Sequence, residues 1–487
     1  MVLRTNPSLA SPRLLLPAPL PNLKYFPPML SDSIAALATP PGRSALAVVR
    51  LSGRDAFEVA ARVVPTFVVD PPRMAHLASF VSGDGTLIDR GLYTVFPHPH
   101  SYTGEDLVEF SCHGGLVVPV RLLSALLAAG ARSALPGEFT RRAVMHGRMD
   151  LLQAEAVGDL IDATAAVQAR SALHQLDGGL SRRLADLRSA LLDTEALLGY
   201  DIDFPEEDDG PVAPARIATR MGELQDQVAR LLATAPAGER LRAGALVVLA
   251  GPPNVGKSSL FNALLGAERA IVTATPGTTR DAIEAATDFL GYPVRLVDTA
   301  GLHESSDEAE RLGVGFSRRY MEAAEVVVAC EARGGRVAGG EEDGGAAGPR
   351  GSLAGTNAAP GRILQVMTKS DLAAPLPPGH PAQPIRTSAV TGEGLDRLKE
   401  AVVRAAFGGQ AALVDLEPAL TRERHRIALA RAQDALRAAL PELTERGEPV
   451  LAAHHLREAA RALEELIGVV DVEEVLDGVF RSFCVGK

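Results

Sequence analysis

The sequence predicts a multidomain protein of mixed α+β and α/β class, in which a helical bundle is split by an inserted α/β domain. Three observations support this prediction. Short apolar runs between turns occupy residues 33–147, which is typical of an α+β module. Amphipathic helical periodicity dominates residues 150–241 and returns after residue 413. Between these helical segments, residues 245–408 alternate strand and helix patterns, which indicates a parallel sheet.

The bulk composition is that of a globular protein with several domains. A chain of 487 residues is too long for one core, and its 46% hydrophobic content includes no apolar run long enough for a membrane span. The net charge of -11 means that a polyanionic partner needs a local basic patch. The cysteines are too widely spaced for a CxxC metal site or a local disulfide framework, and they suit a reducing compartment; they are Cys112, Cys330 and Cys484.

The first 31 residues form an extension that is rich in Pro and Leu and has no acidic residue before Asp32. One interpretation is a weak organelle transit peptide, which would imply a mitochondrial protein. The favoured interpretation is that the true start is Met29 and that the protein is cytoplasmic. In either case the fold is expected to begin near Asp32.

In the front module, strands are predicted at residues 45–53, 90–97 and 106–115, and a helix at 118–130 that ends at a glycine. Residues 334–361 contain many glycines and almost no large apolar side chain, which favours a disordered surface insertion over a functional lid.

Residues 245–266 predict a strand, a Gly-rich turn and a helix, with Gly251-x4-Gly-Lys-Ser in the turn. In this motif the backbone N–H groups cradle phosphate oxygens. Lys257 would reach the β- and γ-phosphates, and Ser258 would offer its hydroxyl to Mg²⁺. The flanking strand and helix argue against a chance match.

Two downstream segments have the order expected for the switch regions of a nucleotide hydrolase. "PGTTRD" (276–281) can supply a threonine, Thr279, to the metal. "VRLVDTAG" (294–301) ends a predicted strand in Asp-x-x-Gly, which places Asp298 in the Mg²⁺ shell and the Gly301 N–H near the γ-phosphate.

Two further segments indicate that the base is guanine. "VMTKSDL" (366–372) provides Asp371, whose carboxylate can accept two hydrogen bonds that adenine cannot donate. "TSAVTGEGL" (387–395) brings Ser388 and the Ala389 backbone near the guanine oxygen. The order and spacing of these segments predict GTP and GDP as ligands.

The chain resembles the MnmE (TrmE) family of tRNA-modification GTPases over nearly its whole length from Asp32. The segments that carry the resemblance are "ATPPGRSALAVVRLSG" (38–53), "SYTGEDLVEFSCHGG" (101–115), "PGEFTRRAVMHGRMDLLQAEAV" (136–157), "IDFPEE" (202–207) and the terminal "FCVGK". The resemblance implies five regions: an extension at 1–31, a folate-binding dimerisation domain at 32–147, a first helical part at 148–243, a Ras-like P-loop GTPase domain at 244–408 with a Gly-rich insertion at 333–362, and a second helical part at 409–487.

The resemblance assigns the hydrolytic role to a glutamate. Ras-like proteins orient the attacking water with a glutamine after Asp-x-x-Gly, but Leu302 stands at that position here. The family pattern places a switch glutamate at Glu310, whose carboxylate can polarise water. The alternative for Glu310 is a solvated residue at a helix start. Lys257 completes the predicted catalytic residues of the GTPase domain.

The resemblance also implies K⁺ as the extra positive charge at the transition state, because no arginine finger is evident. The predicted K⁺ ligands are Asn254, Thr273, Thr275 and Thr278. Hydrolysis would then depend on two GTPase domains facing each other.

The whole predicted GTP site comprises Asn254, Val255, Gly256, Lys257, Ser258, Ser259, Thr273, Ala274, Thr275, Pro276, Gly277, Thr278, Thr279, Asp298, Thr299, Ala300, Gly301, Thr368, Lys369, Asp371, Ser388 and Ala389.

In the front domain the resemblance implies a site for 5-formyl-tetrahydrofolate, with the ligands Arg50, Glu109, Arg148 and Lys487. Cys484 would lie near the one-carbon chemistry, either as a nucleophile or only as a neighbour. Two departures from the family pattern stand out. Arg148 replaces a lysine, which keeps the charge and changes the geometry. Thr368 replaces the asparagine that usually begins the guanine motif.

The implied partners are a second copy of the chain, an FAD-dependent MnmG protein in a heterotetramer, and tRNA as substrate. Arginines on a predicted helix at 421–437 could contact phosphate, although a solvated helix face is favoured. Two rival functions remain open. One is a GTPase switch for ribosome assembly, like the Era group, and the other is a free-standing folate aminomethyl transferase regulated by its GTPase domain.

Overall fold

The structure is a computed structural model that describes the chain in several stretches. The described residues are 32–203, 214–266, 283–298, 319–332, 362–372, 384–408, 419–443, 447–468, 479–480, 483 and 485–486. They fall into two compact units. The front unit contains the described residues up to Ala154 and the described tail from Val479, and the second unit contains those from Glu155 to Gly468.

The front unit is built on a six-stranded sheet with the order β3-β4-β5-β2-β1-β6. The strands are β1 Ile34–Leu37, β2 Leu46–Ser52, β3 Ala75–Val81, β4 Leu87–Phe96, β5 Leu107–His113 and β6 Arg132–Ser133. The helices are α1 Ala56–Val63, α2 Val118–Ala128 and α3 Glu138–Met145, and the chain leaves the unit within α4 Leu151–Asp162. Neighbouring strands are antiparallel except β1 and β6.

Alternation along the front strands separates a core face from a functional face. In β2 the side chains of Ala47, Val49 and Leu51 are buried in the core that α1 and α2 cover. The intervening Arg50 points to the other face, because successive side chains in a strand alternate. Arg50 stands directly opposite Glu109 on the neighbouring antiparallel strand β5, so the two can interact across the strands.

The described tail is part of the front unit. Val485 forms an isolated antiparallel bridge with Pro136. Phe480 packs so closely on Gly137 that a Cβ there would lie 2.9 Å from its side chain, and Gly137 has a φ of +69°. Glycine therefore suits that position both sterically and conformationally.

The second unit combines a helical layer with a second sheet. Its helices are the remainder of α4, then α5 Ala166–Leu176, α6 Gly179–Asp203, α7 Pro214–Ala233, α8 Ala235–Ala243, α9 Lys257–Leu265, α10 Leu395–Phe407, α11 Glu423–Ala439 and α12 Pro449–Ile467. Helices α11 and α12 pack against α6 and α7. Helices that precede the α/β segment and helices that follow it therefore share one packed layer.

The second sheet has the order β12-β11-β10-β7-β9-β8. The strands are β7 Ala245–Ala250, β8 Ile283–Phe289, β9 Tyr292–Asp298, β10 Val326–Ala332, β11 Ile363–Thr368 and β12 Ile385–Arg386. All neighbours are parallel except β8 and β9. Every residue of β7 is buried, as expected of a central strand covered on both faces. The loops at the carboxyl ends of β7, β9 and β11 lie at the edge where ligands bind in such sheets.

The predicted strands at 45–53 and 106–115 and the predicted helix at 118–130 are confirmed as β2, β5 and α2. The strand predicted at 90–97 begins earlier, at Leu87. The sequence reading did not identify β1, β3, β6, α1 or α3, which are short or lack a clear period. Among the described residues, no helix is both long enough and apolar enough to cross a membrane.

Candidate functional site

The phosphate loop joins the buried strand β7 to helix α9, which begins at Lys257. Two glycines make this turn possible. At Gly251 φ is +150°, and a Cβ would lie 2.4 Å from the carbonyl oxygen of Cys330. Gly256 precedes the helix with a φ of +101°. The free N–H groups of the first turn of α9 and its dipole make this end of the helix suitable for phosphate.

Lys257 is the cation of this loop. It is 5% exposed, and its Nζ donates hydrogen bonds of 2.9 Å to the carbonyl oxygens of both Gly251 and Pro252. Burial lowers the pKa of Lys257, and the nearby Asp298 carboxylate opposes that effect. Asp298 ends β9 and is itself buried. The lysine and the aspartate predicted for phosphate and magnesium are thus brought close enough to interact electrostatically.

The loop after β11 is tied to the phosphate loop. The Oγ1 of Thr368 donates to the carbonyl oxygen of Val255 at 2.5 Å and lies 3.1 Å from that of Glu331. Lys369, at a φ of +55°, donates through Nζ to the carbonyl oxygen of Asn254 at 3.0 Å. Thr368 thus links the two loops through a buried hydroxyl, although the family pattern has asparagine there.

Asp371 and Ser388 are in direct contact. Ser388 is fully buried, and its Oγ donates to Oδ1 of the exposed Asp371 at 2.6 Å. The same Oγ accepts from the backbone N–H groups of Val390 and Thr391 at 3.3 and 3.2 Å. These acceptor contacts direct the hydroxyl proton towards Asp371. The half-buried Ala389 follows in the same loop.

Part of the predicted site lies outside the described residues. This applies to the predicted switch and K⁺-loop positions, to the hydrolytic glutamate and to two tail residues, namely Thr273, Ala274, Thr275, Pro276, Gly277, Thr278, Thr279, Thr299, Ala300, Gly301, Glu310, Cys484 and Lys487. The described predicted positions lie in the loops, at the strand ends and at the start of α9 along one edge of the second sheet; they are Asn254 to Ser259, Asp298, Thr368, Lys369, Asp371, Ser388 and Ala389.

A second cluster lies on the functional face of the front sheet. The Nη2 and Nε of Arg50 donate to Oε1 of Glu109 at 2.7 and 3.0 Å. The guanidinium carbon of Arg50 lies 5.2 Å from the ring centre of Tyr102 and 5.6 Å from that of Phe139. Both bonds go to Oε1, and among the described residues none donates to Oε2 of Glu109, whose side chain is 30% exposed.

The tail closes one side of this cluster. Nη1 of Arg50 donates to the carbonyl oxygen of Gly486 at 3.3 Å. Gly486 has a φ of +102°, and a Cβ there would lie 2.5 Å from the carbonyl oxygen of Leu37. Arg148 is exposed, and its side chain lies close to Gly104. Among the described residues, no contact joins Arg148 to Arg50 or Glu109.

The sequence analysis did not predict an ion network in the front unit that is centred on the buried Arg142. Arg142 is completely buried and pairs with Glu138, Asp32 and Glu105 at 3.0, 2.9 and 3.1 Å. Arg132 pairs with two of the same acids, Asp32 and Glu138, at 2.6 Å each. The spacing of Glu138 and Arg142 at i, i+4 was the available signal. It could not distinguish a surface pair from a buried one.

The arginines at positions 422–437, which lie on α11 or immediately before it, are paired with acids. Arg422 and Arg424 are mostly buried and bind Asp159 and Glu155 at 2.7 and 2.6 Å. The more exposed arginines also have acidic partners; the pairs are Arg426 with Glu239 and Glu423, Arg431 with Glu465, and Arg437 with Asp434. These pairs do not support a free phosphate-binding face on α11, and Arg422 and Arg424 do not form a solvated face either.

Two family models match the chain: one described as "MnmE helical domain" over residues 151–484, and one described as "GTP-binding protein TrmE N-terminus" over residues 33–148. The tRNA modification GTPase MnmE of Methylobacterium radiotolerans is 44% identical, with 94% of this chain and 99% of that protein covered. The protein of the same name from Akkermansia muciniphila is 39% identical, with 93% and 99% covered. Among solved structures, the G domain of the T. maritima FeoB iron transporter is 31% identical, covers 33% of this chain and 98% of its own, and has a TM-score of 0.24. The coverage and identity of the curated relatives show that this chain belongs to the MnmE family of tRNA modification GTPases.

Proposed function

We propose that this chain hydrolyses GTP and, in a heterotetramer with an FAD-dependent MnmG partner, modifies C5 of the wobble uridine of certain tRNAs. The added group would be carboxymethylaminomethyl or aminomethyl, built with a one-carbon unit from a folate. One observation carries the proposal. The phosphate loop and the guanine-recognition loop are joined by the bonds of Thr368 and Lys369 into a single nucleotide site.

In this proposal Lys257 exchanges its bonds to two loop carbonyls for bonds to the β- and γ-phosphates. Mg²⁺, when bound, would neutralise charge on the phosphate oxygens. The Ser258 hydroxyl and the buried Asp298 carboxylate are hard oxygen donors, which Mg²⁺ prefers, so the described residues fit this ion. Thr279 is the further proposed ligand. Glu310 would orient the attacking water as a general base.

For K⁺, Asn254 is the described member of the proposed ligand set. It lies at the tip of the phosphate loop with a φ of +60°, and its own carbonyl oxygen is held by Lys369. A side-chain amide oxygen suits a hard monovalent cation. The remaining proposed ligands are Thr273, Thr275 and Thr278. The ion would add positive charge where negative charge develops during hydrolysis.

For the folate, the proposed ligands are Arg50, Glu109, Arg148 and Lys487. The Oε2 of Glu109, to which no described residue donates, offers an acceptor to the donor edge of a pterin, and the rings of Tyr102 and Phe139 border the cluster. Arg50 holds Glu109 in place, so the carboxylate is oriented before a ligand arrives. This donor set fits a 5-formyl-tetrahydrofolate. The bond from Arg50 to Gly486 supports a role for the tail, including Cys484, at this site.

The exposed apolar side chains of the front sheet support a homodimer. Leu77 and Leu92 lie directly opposite each other on β3 and β4 and are 78% and 43% exposed. Leu46, on β2, is 62% exposed and shares their face. Strand β5 lies between Leu46 and Leu92, and large exposed apolar side chains gathered on one face of a sheet are typical of an interaction site. We further propose that hydrolysis requires two GTPase domains to face each other.

The domain limits belong to the same proposal: a folate-binding domain at 32–147, a helical domain in two parts at 148–243 and 409–487, and a GTPase domain at 244–408. The packing of α11 and α12 against α6 and α7 supports a helical domain interrupted by the GTPase domain.

Deleting the gene and profiling tRNA nucleosides by mass spectrometry tests the proposal. We expect the C5 modification of the wobble uridine to disappear, to return with the wild-type gene, and not to return with Lys257→Ala. Unchanged wobble uridine in the deletion strain would reject the proposed function. A defect confined to ribosome assembly would favour the GTPase-switch alternative. Equal GTP turnover in sodium and potassium buffers would reject the ion assignment.

A further inference from the structure

The loop that carries Asp371 is short and needs external support. It is a single three-residue 3-10 turn, Ser370–Leu372, in which the Leu372 N–H donates to the carbonyl oxygen of Lys369 at 3.0 Å. Lys369 itself occupies the left-handed region with a φ of +55°, which is unfavourable for a side chain of this kind. The position of the Asp371 carboxylate therefore depends on what holds this turn.

Ser370 is the anchor of the turn. It is 3% exposed, and the described segment 386–393 binds it three times. The Ser370 N–H donates to the carbonyl oxygen of Thr387 at 3.0 Å, and Nη2 of Arg386 donates to the Ser370 carbonyl oxygen at 3.2 Å. The third bond runs from the Ser370 hydroxyl to Oε2 of Glu393 at 2.9 Å.

Glu393 contacts both residues that control Asp371. Its backbone carbonyl oxygen accepts from the N–H of Ser388 at 3.0 Å, and Ser388 in turn donates to the Asp371 carboxylate. Its side chain accepts from Ser370, the residue immediately before Asp371. The next residue, Gly394, fixes the backbone there, because φ is +72° and a Cβ would lie 1.8 Å from the carbonyl oxygen of Arg386.

We infer that Glu393 is a positioning residue for guanine recognition, which acts by holding Ser370 and thereby orienting the Asp371 carboxylate towards the base. This inference rests on the proposed binding of GTP. Ser388 already donates a hydrogen bond to Oδ1 of Asp371. The remaining lone pairs of the carboxylate must therefore point towards the two guanine donors, the N1–H and the 2-amino group. A rotated turn would misplace both bonds at once.

The test compares binding of guanosine and inosine diphosphates, since inosine lacks the 2-amino group. Wild-type chain, Glu393→Ala, Glu393→Gln and Ser370→Ala are titrated with each nucleotide by calorimetry. We expect Glu393→Ala and Ser370→Ala to weaken guanosine diphosphate binding about 5- to 10-fold, the size of one lost hydrogen bond. Inosine diphosphate should weaken less, so the ratio of the two affinities falls. Glu393→Gln keeps an acceptor oxygen and should stay within about 2-fold of wild type.

Glu400→Ala provides the matched control, because it removes the same charge from an exposed position on α10 and should leave both affinities unchanged. In steady-state hydrolysis Glu393→Ala should raise the KM for GTP with little change in kcat. This pattern is expected when a lost interaction stabilises the bound substrate and the transition state equally. A general loss of folding would lower the active fraction without changing the guanosine-to-inosine ratio. An unchanged ratio in folded Glu393→Ala would overturn the inference, whereas absence of guanosine selectivity in the wild type would overturn the proposed function itself.

Discussion

The two units bury ionic networks of opposite design. The front unit buries a cation, Arg142, among carboxylates. The second unit buries an anion, Glu155, which accepts from Nε and Nη2 of Arg424 at 2.6 and 2.7 Å and from Nε2 of His425 at 2.8 Å. Removing a charge from water is costly in either design, and only multiple, well-aligned partners offset that cost.

The difference lies in the partners. The ion pairs of the front network join guanidinium groups to carboxylates. Burial by itself would raise the pKa values of Asp32 and Glu138, but hydrogen bonds and charge from Arg132 and Arg142 outweigh it and hold both below their ordinary range. The second network includes His425, whose pKa burial lowers even though Glu155 opposes the shift. Mild acid therefore leaves the carboxylates Asp32 and Glu138 ionised, whereas the second network contains a histidine whose pKa lies below its ordinary value.

The surroundings of the His425 ring favour its neutral form. Its ring is completely buried, and Nε2 faces Glu155. Nδ1 has no hydrogen-bond partner among the described residues. Neutral imidazole can leave Nδ1 as a bare acceptor, but the charged ring would bury an unsatisfied N–H donor there.

The largest expected effect is that of Arg142→Met. It leaves Glu105 without its guanidinium partner inside the front unit, and breaking a buried ionic network in this way costs about 3–5 kcal/mol of folding free energy. Urea unfolding, with hydrogen exchange to assign the transition to the front unit, measures the change. Arg121→Met, at an exposed position on α2, should change stability by less than about 0.5 kcal/mol. Equal effects of the two substitutions would contradict the importance of the buried network.

Lowering the pH is expected to have an intermediate effect on the stability of the second unit. The pKa of His425 is lower in the folded protein than its unfolded value of about 6.5. The contribution of this group to the free energy of unfolding is therefore complete above about pH 6.5 and declines as the pH falls towards the folded pKa. The second unit should lose up to about 1.4 kcal/mol per pH unit in that window through this one group. Protonation of Asp32 and Glu138 should reduce the stability of the front unit only when the pH falls to the ordinary carboxyl pKa range or below it.

Unfolding measured at a series of pH values between neutrality and pH 5 checks this difference. His425→Gln should flatten the slope assigned to the second unit, because glutamine can still donate to Glu155 but does not titrate. His174→Gln, at an exposed position on α5, should leave the slope as in the wild type. A slope that His425→Gln does not change would rule out this histidine as its source.

The smallest effect is expected at an exposed pair of the same residue types. Arg431 and Glu465 lie 2.7 Å apart with side chains 58% and 38% exposed. Such pairs contribute about 0–1 kcal/mol, since water and salt screen them. Arg431→Ala should therefore shift the urea midpoint only slightly. A loss as large as that of Arg142→Met would show that burial is not what distinguishes these pairs.

Much of the nucleotide site could be predicted from the sequence because its motifs are local. Gly251 to Ser258 is a continuous motif, Asp298 ends a recognisable strand, and Asp371 follows another. The replacement of asparagine by Thr368 could not be interpreted from the sequence, because its consequence depends on the distance to Val255, which lies 113 residues away.

The sequence by itself determined the alternation that turns Arg50 away from the buried side chains of β2, the glycines of the phosphate loop, and the periodicity of the long helices. These follow from steric rules that act within a few residues. Only the tertiary structure decided that Arg142 and Glu155 are buried, that Arg422 and Arg424 bind acids within the protein, and that Glu393 reaches Ser370. The reason is physical: a charged side chain has the same local pattern in water and in the interior, and only contacts between distant segments distinguish the two.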